Sequence, residues 1–161
     1  MPRKTLFTIA FAALLSIATL LNANPGLAAS ARGQRIHGLC VSCHGENGQG
    51  NADIQAPAIA GLPEWYVVAQ LEKFRNGQRG KHPSDAVGTR MRAMSRTLQP
   101  VDLSEVAQFL AGMSATETPI TVRGDTARGK TLYATCLACH GPEGKGNPAL
   151  KAPPLAGVSD W

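Results

Sequence analysis

All four cysteines of this 161-residue chain fall into two C-x-x-C pairs, and each pair is followed at once by histidine: Cys40-Val41-Ser42-Cys43-His44 and Cys136-Leu137-Ala138-Cys139-His140. Three chemistries compete for such pairs. Disulfides would use the thiols but would not require a histidine after each pair. A four-thiolate zinc site also takes two C-x-x-C pairs, yet it leaves both histidines without a role. Covalent attachment of c-type haem uses every position. Two thiols add across the two porphyrin vinyl groups, the two intervening residues of a helical turn set their separation, and the next residue offers its imidazole to iron. The pattern therefore predicts two haem c groups. Cys40 and Cys43 would attach the first, with His44 on iron, and Cys136 and Cys139 the second, with His140 on iron.

The two motifs belong to a longer repeat. The histidines lie 96 residues apart, and at that offset residues 31–65 and 127–161 share 15 of 35 positions. Gly45, Gly48, Gly50 and Asn51 meet Gly141, Gly144, Gly146 and Asn147; Ala56-Pro57 meets Ala152-Pro153; Trp65 meets Trp161. Such a unit is far longer than a solenoid repeat, so the chain reads as a tandem of one haem-binding unit. On these residues the sequence resembles the periplasmic tandem dihaem cytochromes c, over the whole first unit and part of the second.

The resemblance implies an all-α fold of class I cytochrome c domains, each a small helical bundle around its haem, with the second copy incomplete. It implies that the Pro57 carbonyl accepts the Nδ1–H of His44, and Pro153 that of His140, which would fix each ring and raise its basicity. A plain turn role for Pro57 stays open. It further implies that the first and last helices cross at Gly33, against an aromatic for which Phe109 is the candidate. The sixth ligand would be the methionine of M-x-x-x-L ahead of the last helix, a pattern met by Met94 and Leu98. Met91 has Ser95 at that spacing and is the alternative; both as ordinary core methionines is a third reading. His82, among Gly80, Lys81 and Pro83, reads as an exposed loop residue, and His37 as a surface histidine.

Residues 1–29 read as a secretory signal. Arg3 and Lys4 lead an apolar run over 6–21, Asn24-Pro25-Gly26 breaks any helix, and Ala28, Ala29, Ser30 and Ala31 offer small-residue cleavage sites at 28–31. An uncleaved anchor needs about 20 apolar residues, more than this run holds. The first domain would cover 30–113, a linker 114–122, and the start of the second domain 123–161. Helices are expected at 31–39, 64–75 and 100–111, with a glycine-rich loop at 46–55 and a polar stretch at 76–90. No methionine follows Met113. The expectation is a fragment of a longer protein, or a short chain whose second iron is left open, with 123–161 labile on its own.

Charge excludes one class of partner. The formal net charge of +5 falls to +3 once Arg3 and Lys4 are set aside, too small a surplus to argue for nucleic acid. Locally, Lys73, Arg75, Arg79, Lys81, Arg90, Arg92 and Arg96 face only Glu72 and Asp85, as a solvated loop or a docking patch for an acidic redox partner. The function expected is periplasmic shuttling of single electrons between redox proteins, a terminal oxidase or dehydrogenase among them, with no catalytic residues and no membrane contact except through a partner or an uncleaved signal. The alternatives are the cytochrome subunit of a haem oxidoreductase, or a peroxidase or ligand-binding module using an open second haem. No distal histidine or glutamate constellation for peroxidase chemistry is visible.

Overall fold

The structure is a computed structural model that describes residues 25–115 and 117–161. Most of the expected signal, residues 1–24, lies outside the described residues. Among the described residues six helices follow in order: α1 Pro25–His44, α2 Glu64–Arg75, α3 Ala86–Thr97, α4 Pro100–Gly112, α5 Thr126–Tyr133 and α6 Leu137–His140. Among the described residues there is no strand, only two isolated bridges, Asn51 with Ala56 and Asn147 with Ala152. Pro25 begins α1, as proline can where a first-turn N–H has no helical acceptor.

The first unit packs around α4. Its Leu103, Val106, Ala107 and Leu110 recur at helical spacing and are buried against Ile36 of α1, Val67 and Leu71 of α2, and Leu98. α1 crosses α4 at Gly33, where a Cβ would stand 2.3 Å from the Glu105 carbonyl oxygen and 2.6 Å from Phe109 Cβ, so the crossing requires glycine. Beside it, Arg32 bonds the Asp102 carboxylate through Nε at 2.8 Å, and Asp102 also accepts the Gln99 N–H at 2.7 Å, closing the start of α4.

Two expectations need correction. The polar stretch expected to run to residue 90 gives way to α3 from Ala86. Asp85 caps that helix by accepting the Gly88 N–H at 2.7 Å, and Arg75 of α2 bonds the Ser95 and Leu98 carbonyls at its far end. Met91 and Met94 therefore stand on a helix. His37 is not a surface residue: it is 5% exposed, its ring centroid lies 5.3 Å from that of Phe109, and its Nε2 is buried without a partner. Position 37 is one turn after Gly33, on the face that meets α4.

In the second unit, α5 and α6 bury no residue. Leu132 is 61% exposed, whereas its counterpart Ile36 is 8% exposed. Tyr133 donates its hydroxyl to the Gly141 carbonyl at 2.6 Å, tying α5 to the turn after α6. Among the described residues, hydrogen bonds at two points hold the end of this unit to the rest. The Ala58 N–H donates to Ser159 Oγ at 2.8 Å, and Asp160 accepts from the Thr121 N–H, the Thr121 hydroxyl and the Val122 N–H at 2.7–2.8 Å.

Candidate functional site

The last turn of α1 carries Cys40, Cys43 and His44, so the three side chains are placed by one rigid element. All four cysteines of the chain are free thiols. Cys40 is half-buried, its Sγ 3.6 Å from the Ile36 carbonyl oxygen, and burial, helped by neighbouring Cys43, pushes its thiol up to about 11. Cys43 is exposed. His44 is buried, with Nδ1 2.7 Å from the Pro57 carbonyl oxygen. A carbonyl can only accept, so Nδ1 carries the proton and Nε2 holds the free lone pair. Desolvation lowers the His44 pKa; the Pro57 bond opposes this and the nearby His37 adds to it. The imidazole is thereby kept neutral, the form that binds a metal.

The chain from this turn to Pro57 is a loop held by its own backbone. Gly50 N–H bonds the His44 carbonyl at 2.8 Å, Asn51 and Ala56 exchange two hydrogen bonds, and Ile59 N–H returns to Gly48 O at 2.8 Å. The second motif repeats each bond: Gly146 to His140 at 3.0 Å, Asn147 paired with Ala152, and Leu155 to Gly144 at 2.7 Å. His140 Nδ1 stands 2.8 Å from the Pro153 carbonyl oxygen. Backbone signs repeat too. Gly50 and Gly146 have φ of 82° and 81°, and even the non-glycine pair Gln55 and Lys151 is left-handed at 57° and 52°. A Cβ on Gly50 would lie 2.6 Å from the Ala58 nitrogen, so the returning chain requires its absence.

The two methionines of α3 differ in setting. Met91 packs against the hydrophobic core, while Met94 is 36% exposed with its sulfur 3.8 Å from the Thr97 hydroxyl. His82 is exposed, with Nδ1 2.6 Å from the Ser84 hydroxyl. Among the described residues no three histidine, cysteine, aspartate or glutamate side chains gather to hold a metal ion, so the two C-x-x-C pairs do not assemble into a four-thiolate site.

Much of the basic run is built into the fold. Arg75 closes α3, Arg79 lies 4.4 Å over the Phe74 ring and bonds Gln70, Arg90 bonds the Ile54 carbonyl at 3.1 Å, and Arg92 packs over Gly77 and Gly80. Lys73, Lys81 and Arg96 are exposed and make no ion pair among the described residues. Sequence reasoning missed His37 as a buried neighbour of the site. Its i+4 relation to the crossing glycine was the available signal.

Comparison with known proteins gives one family and several relatives. The family model described as "Cytochrome c" matches residues 30–114 and 126–161. The chain is 32% identical over 131 residues to the "Thiosulfate dehydrogenase electron acceptor" of Stutzerimonas stutzeri (strain A1501), covering 74% of this chain and 57% of that protein. It spans about half the length of the curated relatives it matches. Among solved structures, it superposes on thiosulfate dehydrogenase (TsdBA) from Marichromatium purpuratum with a TM-score of 0.66 at 31% identity, over 81% of this chain and 30% of that one. Reduced recombinant cytochrome c4 from Pseudomonas stutzeri gives 0.61 at 27% identity, over 80% and 73%.

Proposed function

The chain belongs to the cytochrome c family, and from that premise we propose that it is an exported single-electron carrier holding one haem c at each C-x-x-C-H motif. The observation that supports this best is the duplicated loop, in which each motif histidine has its Nδ1 committed to a proline carbonyl at 2.7 or 2.8 Å. The residues fit the group: free thiols one helical turn apart, and beside them an imidazole fixed in the tautomer that leaves Nε2 for iron.

In this reading Cys40 and Cys43 tether the first group and Cys136 and Cys139 the second. His44 and His140 supply the proximal ligands, held by Pro57 and Pro153. Met94 is the distal ligand of the first site, because its side chain is exposed while Met91 is already engaged in the core. Haem bound there supplies reversible one-electron iron chemistry. The protein's part is to orient the ligands and to exclude water from His44, which is buried with its Nδ1 on the Pro57 carbonyl.

Residues 1–29 direct export to the periplasm, 30–113 form the first domain, and 123–161 belong to the second. The S. stutzeri relative is named for accepting electrons from thiosulfate dehydrogenase, and a dehydrogenase is the donor proposed here. Among the described residues no helix is long and apolar enough to cross a membrane.

The test is protein matured in a haem-attaching host. Two haems should stay with the polypeptide through acid–acetone extraction. Release of the colour would overturn the attachment reading. Carbon monoxide should leave the reduced first haem unchanged; binding there would overturn the Met94 assignment.

A further inference from the structure

Ala58 and Ser159 lie 101 residues apart in sequence, yet the Ala58 N–H donates to Ser159 Oγ at 2.8 Å. That N–H and the Pro57 carbonyl are the two ends of one peptide group. The carbonyl end accepts the Nδ1–H of His44 at 2.7 Å. A hydrogen bond to the N–H of an amide draws electron density toward its oxygen, because the C–N bond is part of the same resonance. The oxygen becomes a better acceptor, and bonds arranged in such a chain strengthen one another. Ser159 thus stands at the end of a relay: hydroxyl, peptide group, imidazole.

The position of Ser159 is itself enforced. Asp160, the next residue, is held by three hydrogen bonds from Thr121 and Val122, which clip this segment against the linker. The second site has no such relay. The residue after Pro153 is Pro154, which has no N–H to donate. Its peptide group holds His140 with nothing acting on the nitrogen side. The two sites share the backbone of their loop, and at this nitrogen they differ.

We propose that Ser159 is a positioning residue for the first haem: by polarising the Pro57–Ala58 peptide it strengthens the bond to His44, makes that imidazole a stronger donor to iron, and lowers the first reduction potential from within the second unit. The inference rests on the proposed haem ligation by His44. A more basic proximal ligand favours the ferric state, which sets the direction.

The experiment uses the full two-haem protein. Ser159→Ala should raise the potential of the first haem and leave the second unchanged, since Pro154 isolates that site. The expected shift is about threefold in the one-electron equilibrium, or about 28 mV at 59 mV per tenfold. In the reduced protein the His44 Nδ1–H proton resonance should move upfield as its hydrogen bond weakens. Ser159→Thr keeps the hydroxyl and should restore both readouts. A Ser159→Ala protein with native potential and native resonance overturns the relay while leaving the haem reading intact. A native protein lacking a histidine-ligated haem at the first motif overturns both.

Discussion

A methyl group at position 33 would meet the Glu105 carbonyl oxygen at 2.3 Å, and that oxygen belongs to the backbone of α4. Neither helix can yield without moving the core behind it. Gly33→Ala is expected to cost about 1–3 kcal/mol, as overpacking of a tight site does. It should appear as a lower urea midpoint with an unchanged slope. Phe109 lies on the other side of the same contact and also meets the His37 ring. The crossing at Gly33 was readable in the sequence through the family resemblance. The burial of His37 is legible only through that crossing, one turn further on, because a single histidine carries no period of its own. The two methionines of α3 should respond differently to truncation. Met94→Ala should remove the weak near-infrared sulfur-to-iron band of the oxidised first haem. Met91→Ala should keep the band and destabilise the fold by about 1–3 kcal/mol, because it vacates space against the core. The opposite pattern would transfer the ligand role to Met91.

α4 opens with Pro100, and Asp102 closes its first turn while bonding Arg32 of α1. The Gln99 amide, then the Arg32 guanidinium, hold the Asp102 carboxyl below its ordinary range, with Arg75 adding to the effect. A depressed carboxyl stabilises the fold fully above its unfolded pKa and loses that contribution as pH falls through the folded value. Stability should therefore decline on acidification below the usual carboxylate range. Asp102→Ala should remove about 1–2 kcal/mol at neutral pH by loss of the cap and flatten that decline, as read by denaturant titration across pH. α4 was legible from its Pro100 start and apolar spacing. α3 was not: its apolar positions are interrupted by arginines and threonines, and besides the packing of Met91 and the adjacent Asp85 cap it is held by the Arg75 bonds, which reach it from far away in sequence. That same packing divides the basic run. Reversing the charge of Lys73, Lys81 and Arg96 should slow electron transfer with an acidic partner and weaken its salt dependence, leaving the unfolding midpoint near native. Arg75→Ala should instead lower the midpoint, because it releases the end of α3.

Across the whole molecule, the two halves share a loop and differ in what covers it. No side chain of α5 or α6 is buried, so backbone opening there exposes little apolar surface that was not already wet. Hydrogen exchange should find the amides of α5 poorly protected and those of α1 and α4 among the slowest. Equal protection in both would show that the second unit is stabilised as strongly as the first. The repeat made this loop readable in outline, because two copies keep the same glycines. The link from Ala58 to Ser159 left no trace in the sequence, since a serine hydroxyl meeting a backbone amide obeys no spacing rule. The paired loops also say where inheritance has had a free hand. Their shape is written in amide hydrogen bonds and left-handed backbone angles, and the side chains between those points have drifted: Glu46 stands opposite Pro142, Asp53 opposite Ala149, and Gln55 opposite Lys151. A saturation mutagenesis library over residues 45–57 should consequently be intolerant at the left-handed Gly45, Gly48 and Gly50, most of all at Gly50, where a side chain would block the returning chain, and more tolerant at positions 46, 53 and 55. A lineage could recolour the exposed positions between those fixed points, for partner after partner, and leave the histidine beneath them undisturbed.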